Sequence, residues 1–282
     1  MSFLKIQDEQ KRLLLQIKGF VSDTYLEFAA DKLGLSLFKL PEFNIDVILE
    51  NPILIHNKLR LGNRLERFFA YIIHASESYD LLAENIQIIQ DKITLGEIDF
   101  ILLNKYTKQV LHVELCGKLY LYNPVYDNEL HRWIGPNKKD SLLKKLNKLK
   151  DKQLPLLYHP ETANMLSIFN FDIRAIEQQV CFKARLFMPY RLKDHIPRFV
   201  NRKNIKGYYL RLQEFLELNW QDNAFFMPEK QDWIVAPKYG EIWYSFDEIL
   251  LQIEVSLLHK QSPMLWMKKP DGSYETLFVV WW

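Results

Sequence analysis

Two cysteines in 282 residues, Cys116 and Cys181, are too few for a disulfide framework. Each sits in an apolar, strand-like context, so buried reduced thiols are expected. No zinc-ligand spacing is present. Long apolar runs are missing too. Stretches such as Tyr71-Ile72-Ile73 and Leu210-Arg211-Leu212 fall far short of the roughly 18 residues that a membrane span needs. Residues 1–10 carry Lys5, Asp8 and Glu9 and lack the apolar region and small-residue cleavage site of a signal peptide. The expectation is a cytoplasmic protein with no membrane partner. A strong charge of either sign is also lacking. The formal charge is +2 and the pI near 8.3, whereas a domain pI above roughly 9 would argue for nucleic-acid binding by itself. Any basic surface must therefore be local. There is no internal repeat and no low-complexity tract.

What is present is apolar: 48% hydrophobic and 14% aromatic residues, enough for the core of one large domain or two modest ones. Residues 1–49 have helical spacing and no chemical constellation, and are read as a helical N-terminal segment. Over 58–82, Leu61, Leu65, Phe68, Phe69, Ile72 and Ile73 follow the helix period, with Glu66 beside the stripe. Strands are expected at 85–89, 93–103 and 109–122, the last two joined by a hairpin-length loop at 104–108. Asn137 can cap a helix with Asp140 at its third position, Leu142, Leu143, Leu146 and Leu149 as its buried stripe, and Pro155 closing it. Clean alternation over 178–188 predicts a further strand ending at Pro189. The expected organisation is α/β, with a core over 50–190 of helix, three-stranded meander, helix and strand. An α+β extension over 191–282 follows. It holds a basic loop at 191–206, helices at 208–218 and 246–258, and a strand at 275–280.

Chemistry concentrates in the meander. Alternate residues of a strand share a face, so Glu97 and Asp99 are expected on one pleat, and His112, Glu114, Cys116 and Lys118 on another. Burying an isolated charge costs several kcal/mol, so ionised groups enter apolar strands only when paired or bound to a cation. Tyr120 and Tyr122 continue the pleat of Glu114, as core residues or as platforms for bases. Trp133 and Trp233, beside prolines, read as packing anchors.

The order of Glu66 on a helix, Asp99 on one strand, Glu114 on the next and a lysine beyond it resembles the PD-(D/E)xK nuclease superfamily. That superfamily has a restriction-endonuclease-like core, and the resemblance covers residues 50–190. More closely, four stretches are similar to a bacterial family, domain-of-unknown-function family 1853, placed in that superfamily. They are Leu61-Gly62-Asn63-Arg64-Leu65-Glu66, Gly96-Glu97-Ile98-Asp99-Phe100, His112-Val113-Glu114 with Lys118, and Gly135-Pro136-Asn137-Lys138-Lys139-Asp140. The resemblance extends to Trp233-Ile234-Val235-Ala236-Pro237 and the closing Leu277-Phe278-Val279-Val280-Trp281-Trp282.

The resemblance implies a nuclease-like protein that binds DNA or RNA and hydrolyses phosphodiesters with Mg²⁺ or Mn²⁺. Asp99 and Glu114 would hold the metal, with the Leu115 carbonyl as a third ligand. Lys118 would orient water or stabilise phosphoryl charge, and Glu66 would support the metal. Lys138, Lys139, Lys144, Lys145 and Lys148 would track phosphates. One position departs from the superfamily pattern. The lysine usually found two residues after the glutamate is replaced by Cys116, and Lys118 arrives two residues later, about 6.5 Å further along a strand. A bulge at Gly117 would close that gap. The alternative is a catalytically inactive module of the same fold, binding nucleic acid or protein, with its charges surviving as structural pairs.

Overall fold

The computed structural model describes residues 3–50, 54–56, 58–169 and 171–282. In chain order, α1 (Phe3–Ser22), α2 (Glu27–Leu33), β1 (Ser36–Leu37), α3 (Ile45–Glu50) and α4 (Leu61–His74) precede a meander. The meander is β2 (Tyr79–Gln90), β3 (Ile93–Asn104) and β4 (Val110–Tyr122). After β5 (Trp133–Ile134), α5 (Leu142–Lys148) continues through a π turn at Leu149–Gln153 and a 3₁₀ turn at Leu154–Tyr158. Then come α6 (Pro160–Leu166), β6 (Glu177–Pro189), β7 (Ile205–Arg211), α7 (Leu212–Leu216), β8 (Ala224–Phe226), α8 (Phe246–Leu258), β9 (Met264–Lys268) and β10 (Tyr274–Val280). No helix among the described residues is long and apolar enough to cross a membrane.

These elements form two compact units interleaved along the chain. The first comprises the described part of Met1–Gln10, with Tyr25–Gly117 and Lys144–Lys183; the second is Lys11–Thr24, Lys118–Leu143 and Ala184–Trp282. Both are α/β with sheet strands of mixed direction.

In the first unit the strand order is β2-β3-β4-β6, with β1 parallel to β6. β2 and β3 pair antiparallel from Tyr79↔Asn104 to Gln90↔Ile93, and β3 and β4 from Leu103↔Val110 to Phe100↔Val113. Helix α4 buries Leu61, Leu65, Phe68, Phe69, Ile72 and Ile73 on the stripe its sequence predicts. Phe69 meets Phe100 of β3 at 4.4 Å and Phe38 at 5.5 Å between ring centroids. Each such fully buried side chain contributes about 1.5–3 kcal/mol of transfer free energy. The helix ends at His74, short of the expected 82. The Ser78 amide turns back onto Ser76 Oγ at 3.0 Å, and Tyr79 opens the ladder with β3, so strand pairing overrides the helical period. A second apolar cluster joins Ile86, Ile88, Ile98 and Ile101 to Leu156, Leu157 and Leu166. Ile98 and Ile101 are three residues apart, so strict alternation slips around Asp99. Across from it, between the pairs Glu84↔Phe100 and Ile86↔Ile98, Asn85 has φ +50°. Gly117 gives clearance for α4: a Cβ there would lie 2.0 Å from Leu65 Cδ1.

In the second unit β7 pairs parallel with the end of β6 and with β10, and β9 lies antiparallel between β10 and β8. The core here is Leu210, Phe215, Trp220, Phe225, Ile249, Ile253, Leu265, Met267, Leu277 and Val279. Helix α8 begins in a capping box in which the Ser245 side chain receives the Glu248 amide and the Glu248 carboxylate receives the Ser245 amide. The helix expected over 208–218 is a strand as far as Arg211, because Leu210 pairs with Val279 of β10. Only Leu212–Leu216 is helical. Nor does Asn137 cap a helix. Residues 135–140 form a turn in which the Gly135 amide donates to the Asp140 carbonyl at 2.8 Å and Lys138 has φ +57°. The Asn137 side chain instead accepts the Ser262 amide at 2.8 Å, and α5 starts at Leu142.

Candidate functional site

The β3–β4 ladder stops at Phe100↔Val113, and the next positions in that register are Asp99 and Glu114. Two carboxylates are thus brought together where the strands cease to pair. In place of a ladder bond, the Leu115 amide donates to Asp99 Oδ2 at 2.8 Å. Asp99 is 8% exposed and Glu114 wholly buried. Both Glu114 oxygens are held by side chains of the protein: Oε1 lies 3.0 Å from His112 Nε2, and Oε2 accepts from Gln153 Nε2 at 2.5 Å. Gln178 Nε2 reaches His112 Nδ1 at 2.9 Å and the Leu154 carbonyl at 2.7 Å. An amide nitrogen only donates, so His112 Nδ1 accepts and Nε2–H donates to Glu114. These contacts fix the orientation of the ring.

The amine facing this pair belongs to Lys145 of α5. Its Nζ donates to Gln153 Oε1 at 2.8 Å, and its charge acts on Cys116, Glu114 and Asp99. Burial alone would lower its pKa, but a hydrogen bond with Cys116 and the carboxylates of Glu114 and Asp99 raise it above the ordinary lysine value, so it is an ammonium. Burial pushes Asp99 up to about 8, with Glu114 adding to the rise and the Leu115 amide and Lys145 opposing it. Glu66, half-buried on α4, is raised by burial and by Glu97, against Arg67 and Lys145. Arg67 is also paired with Glu84 at 3.0 Å. Burial holds the Cys116 thiol at about 12, so it is not a thiolate. No group of three or more His, Cys, Asp or Glu side chains among the described residues is arranged to hold a metal.

A model of the family described as "Domain of unknown function (DUF1853)" matches residues 40–277. The chain belongs to the DUF1853 family. No curated protein and no solved structure matches it.

In this DUF1853 chain the residues singled out from sequence divide into two groups. Glu66, Asp99, Glu114 and Leu115 converge in the first unit. Lys118 is engaged elsewhere: its Nζ donates to Asp140 Oδ2 at 2.7 Å, with both side chains partly exposed. Gly117 makes room for Leu65. Of the lysine run, Lys138, Lys139, Lys144 and Lys148 are exposed, whereas Lys145 turns inward. Tyr120 and Tyr122 are core residues, 0% and 2% exposed. Lys145 was expected among the phosphate-tracking lysines and not beside the carboxylates, and Gln153 and Gln178 were not singled out. A signal for Lys145 existed: it falls three after Leu142 and four before Leu149, on the buried stripe of its own helix.

Proposed function

We propose that this DUF1853 protein is a metal-dependent phosphodiester hydrolase of the PD-(D/E)xK kind that acts on nucleic acid, with Lys145 in the part expected of Lys118. The observation that carries this reading is the placement of Asp99 and Glu114 at adjacent register positions, with the Lys145 ammonium directed at them. The donor set suits a hard cation. Mg²⁺ or Mn²⁺ takes oxygen ligands, keeps several waters and needs only one or two carboxylates, so the absence of a three-ligand cluster among the described residues does not disqualify the site. Asp99 Oδ1 accepts no hydrogen bond from the described residues, which leaves it open to such an ion. Asp99, Glu114 and the Leu115 carbonyl would hold it.

When bound, the ion lowers the pKa of its water and neutralises charge developing on the phosphoryl oxygens. The rest belongs to the chain. The Leu115 amide fixes the orientation of Asp99, and His112 and Gln153 fix that of Glu114. Lys145 contributes a positive charge for a phosphoryl oxygen or for the attacking water, and Gln153 positions it. Exposed Lys144 and Lys148, on the same helix, offer contacts to phosphates on either side of the scissile bond.

A second reading, an inactive binding module of the same fold, draws on the occupancy of both Glu114 oxygens by protein donors. One experiment separates the two. Purified protein is incubated with single- and double-stranded DNA and RNA in Mg²⁺, Mn²⁺ or EDTA, beside Asp99→Ala, Glu114→Ala and Lys145→Ala. Cleavage that needs the cation and all three side chains establishes the hydrolase. Binding without cleavage establishes the module, and equal cleavage by all four proteins overturns the assignment of the site.

A further inference from the structure

The closing Trp281-Trp282 pair has no part in the carboxylate site, yet it walls a cavity of about 320 Å³ in the second unit with Arg211, Gln213 and Leu257. Trp282 is fully engaged. Its Nε1 donates to the Pro136 carbonyl at 2.9 Å and its carbonyl accepts from Arg211 Nε at 3.2 Å. Its ring lies 5.7 Å from that of Tyr209 and carries the Lys138 amine 4.3 Å from its centroid. Trp281 is different. It is half-buried, and among the described residues no aromatic ring stacks on it and its buried Nε1 has no hydrogen-bond partner. The Lys260 amine lies 6.0 Å from its ring centroid.

We propose that this cavity binds one nucleotide unit, with the base on the Trp281 ring and the phosphate between Arg211 and Lys260. The volume lies at the low end of small-ligand pockets, which run from about 300 Å³ upward, and so suits one unit. The Trp281 indole lines the cavity without an aromatic neighbour among the described residues, so it offers a stacking surface to a heteroaromatic ring, and Gln213 offers an amide for that ring's edge. Exposed Arg211 lines the cavity and exposed Lys260 lies beside the Trp281 ring, so an anion attached to a stacked base would meet positive charge. An apolar side chain would fill the space and leave both charges unanswered. The shared chemistry, a planar base bearing phosphate, occurs in a free mononucleotide and in a single strand.

The test is equilibrium binding in EDTA, so that its outcome does not depend on hydrolysis. The probes are fluorescein-labelled dT10 and rA10, followed by anisotropy, with unlabelled AMP as competitor. Wild type binds a labelled strand, Trp281→Ala weakens it about tenfold or more, and Trp281→Phe stays within about threefold. Arg211→Gln and Lys260→Gln, each checked for an unchanged circular-dichroism spectrum, lower the salt slope of single-strand binding by about 0.7. Displacement by AMP at concentrations close to the strand's own affinity assigns the site to mononucleotides, and its failure assigns it to single strands. Failure of both strands and AMP to bind, or binding unchanged in Trp281→Ala, Arg211→Gln and Lys260→Gln, overturns the proposal.

Discussion

Replacing Asp99 by asparagine keeps an oxygen for the Leu115 amide and removes the charge that burial and Glu114 penalise. In the folded chain the Asp99 carboxyl is pushed up to about 8, against an ordinary aspartate value of about 3.9 when unfolded. Between these values the folded state holds the proton more tightly. Stability from this group is therefore fully present below about pH 4, falls as pH rises, and is lost above about pH 8. A carboxamide does not titrate, so the Asp99→Asn variant lacks that decline. An uncompensated buried carboxylate costs several kcal/mol, and relaxation and the nearby Lys145 reduce this to about 2 kcal/mol at pH 8. For a chain of this size that is a melting temperature roughly 4–8 °C higher than wild type in EDTA.

The cation acts the other way round. At ten times its dissociation constant, Mg²⁺ or Mn²⁺ stabilises wild type by about 1.4 kcal/mol and Asp99→Asn hardly at all. Differential scanning fluorimetry at pH 5 and pH 8, with and without cation, reads all four conditions. A variant less stable than wild type at pH 8 in EDTA would refute the burial cost assigned to the Asp99 charge, and one equally stabilised by the ion would refute its part in holding a metal.

Lys145→Met removes the amine from the site and lowers cleavage at least a hundredfold in single-turnover assays, whereas Lys118→Met, which breaks only a part-exposed pair with Asp140, changes it less than about threefold. Gly117→Ala drives a methyl into Leu65 and costs about 1–3 kcal/mol by urea denaturation; Leu65→Ala in the same chain recovers part of that loss, making the double variant less than additive. Gly19→Ala has no such rescue, because its Cβ would lie 2.0 Å from the Ile234 backbone carbonyl, so it destabilises by more than about 3 kcal/mol or fails to fold. His112→Leu leaves Glu114 Oε1 buried without its donor and is expected to lower metal affinity about tenfold in a Mn²⁺ titration.

The parts of this architecture legible in the sequence are those in which local pattern and tertiary packing agree. β6 shows the alternation expected over 178–188 and spans Glu177–Pro189; α8 occupies Phe246–Leu258 as its apolar spacing and cap require. The meander strands fall where their apolar runs lie, although β2 starts at Tyr79 because its first residues are recruited by the end of β3. Residues 205–211 read poorly for the same kind of reason. Their strand state depends on β10, some seventy residues away, which no local window contains. The interleaving of the two units is a long-range property of the same sort. At the site, carboxylates on neighbouring strands were visible as charges in apolar runs, while Lys145 was masked by the six other lysines of its segment.

The position of that lysine follows from packing. A lysine at 116 would need its whole stem where Cys116 is 1% exposed, on a strand whose next residue, Gly117, is already pressed by Leu65. A thiol fits there, and its small size leaves room for an amine arriving from outside the sheet. Lys145 supplies it along the stripe of Leu142, Leu146 and Leu149, so its methylenes pack as apolar surface while its charge meets Glu114 and Asp99. Charge balance then makes the site incomplete. Burial together with the neighbouring carboxylates Glu114 and Glu66 disfavours the charged form of Asp99, and one ammonium offsets this only in part. The chain can relieve that charge by keeping a proton on Asp99 or by admitting a cation. On the function proposed above, a divalent ion would do so at the pH where the proton is lost, and the cost of burying two carboxylates side by side would favour its binding.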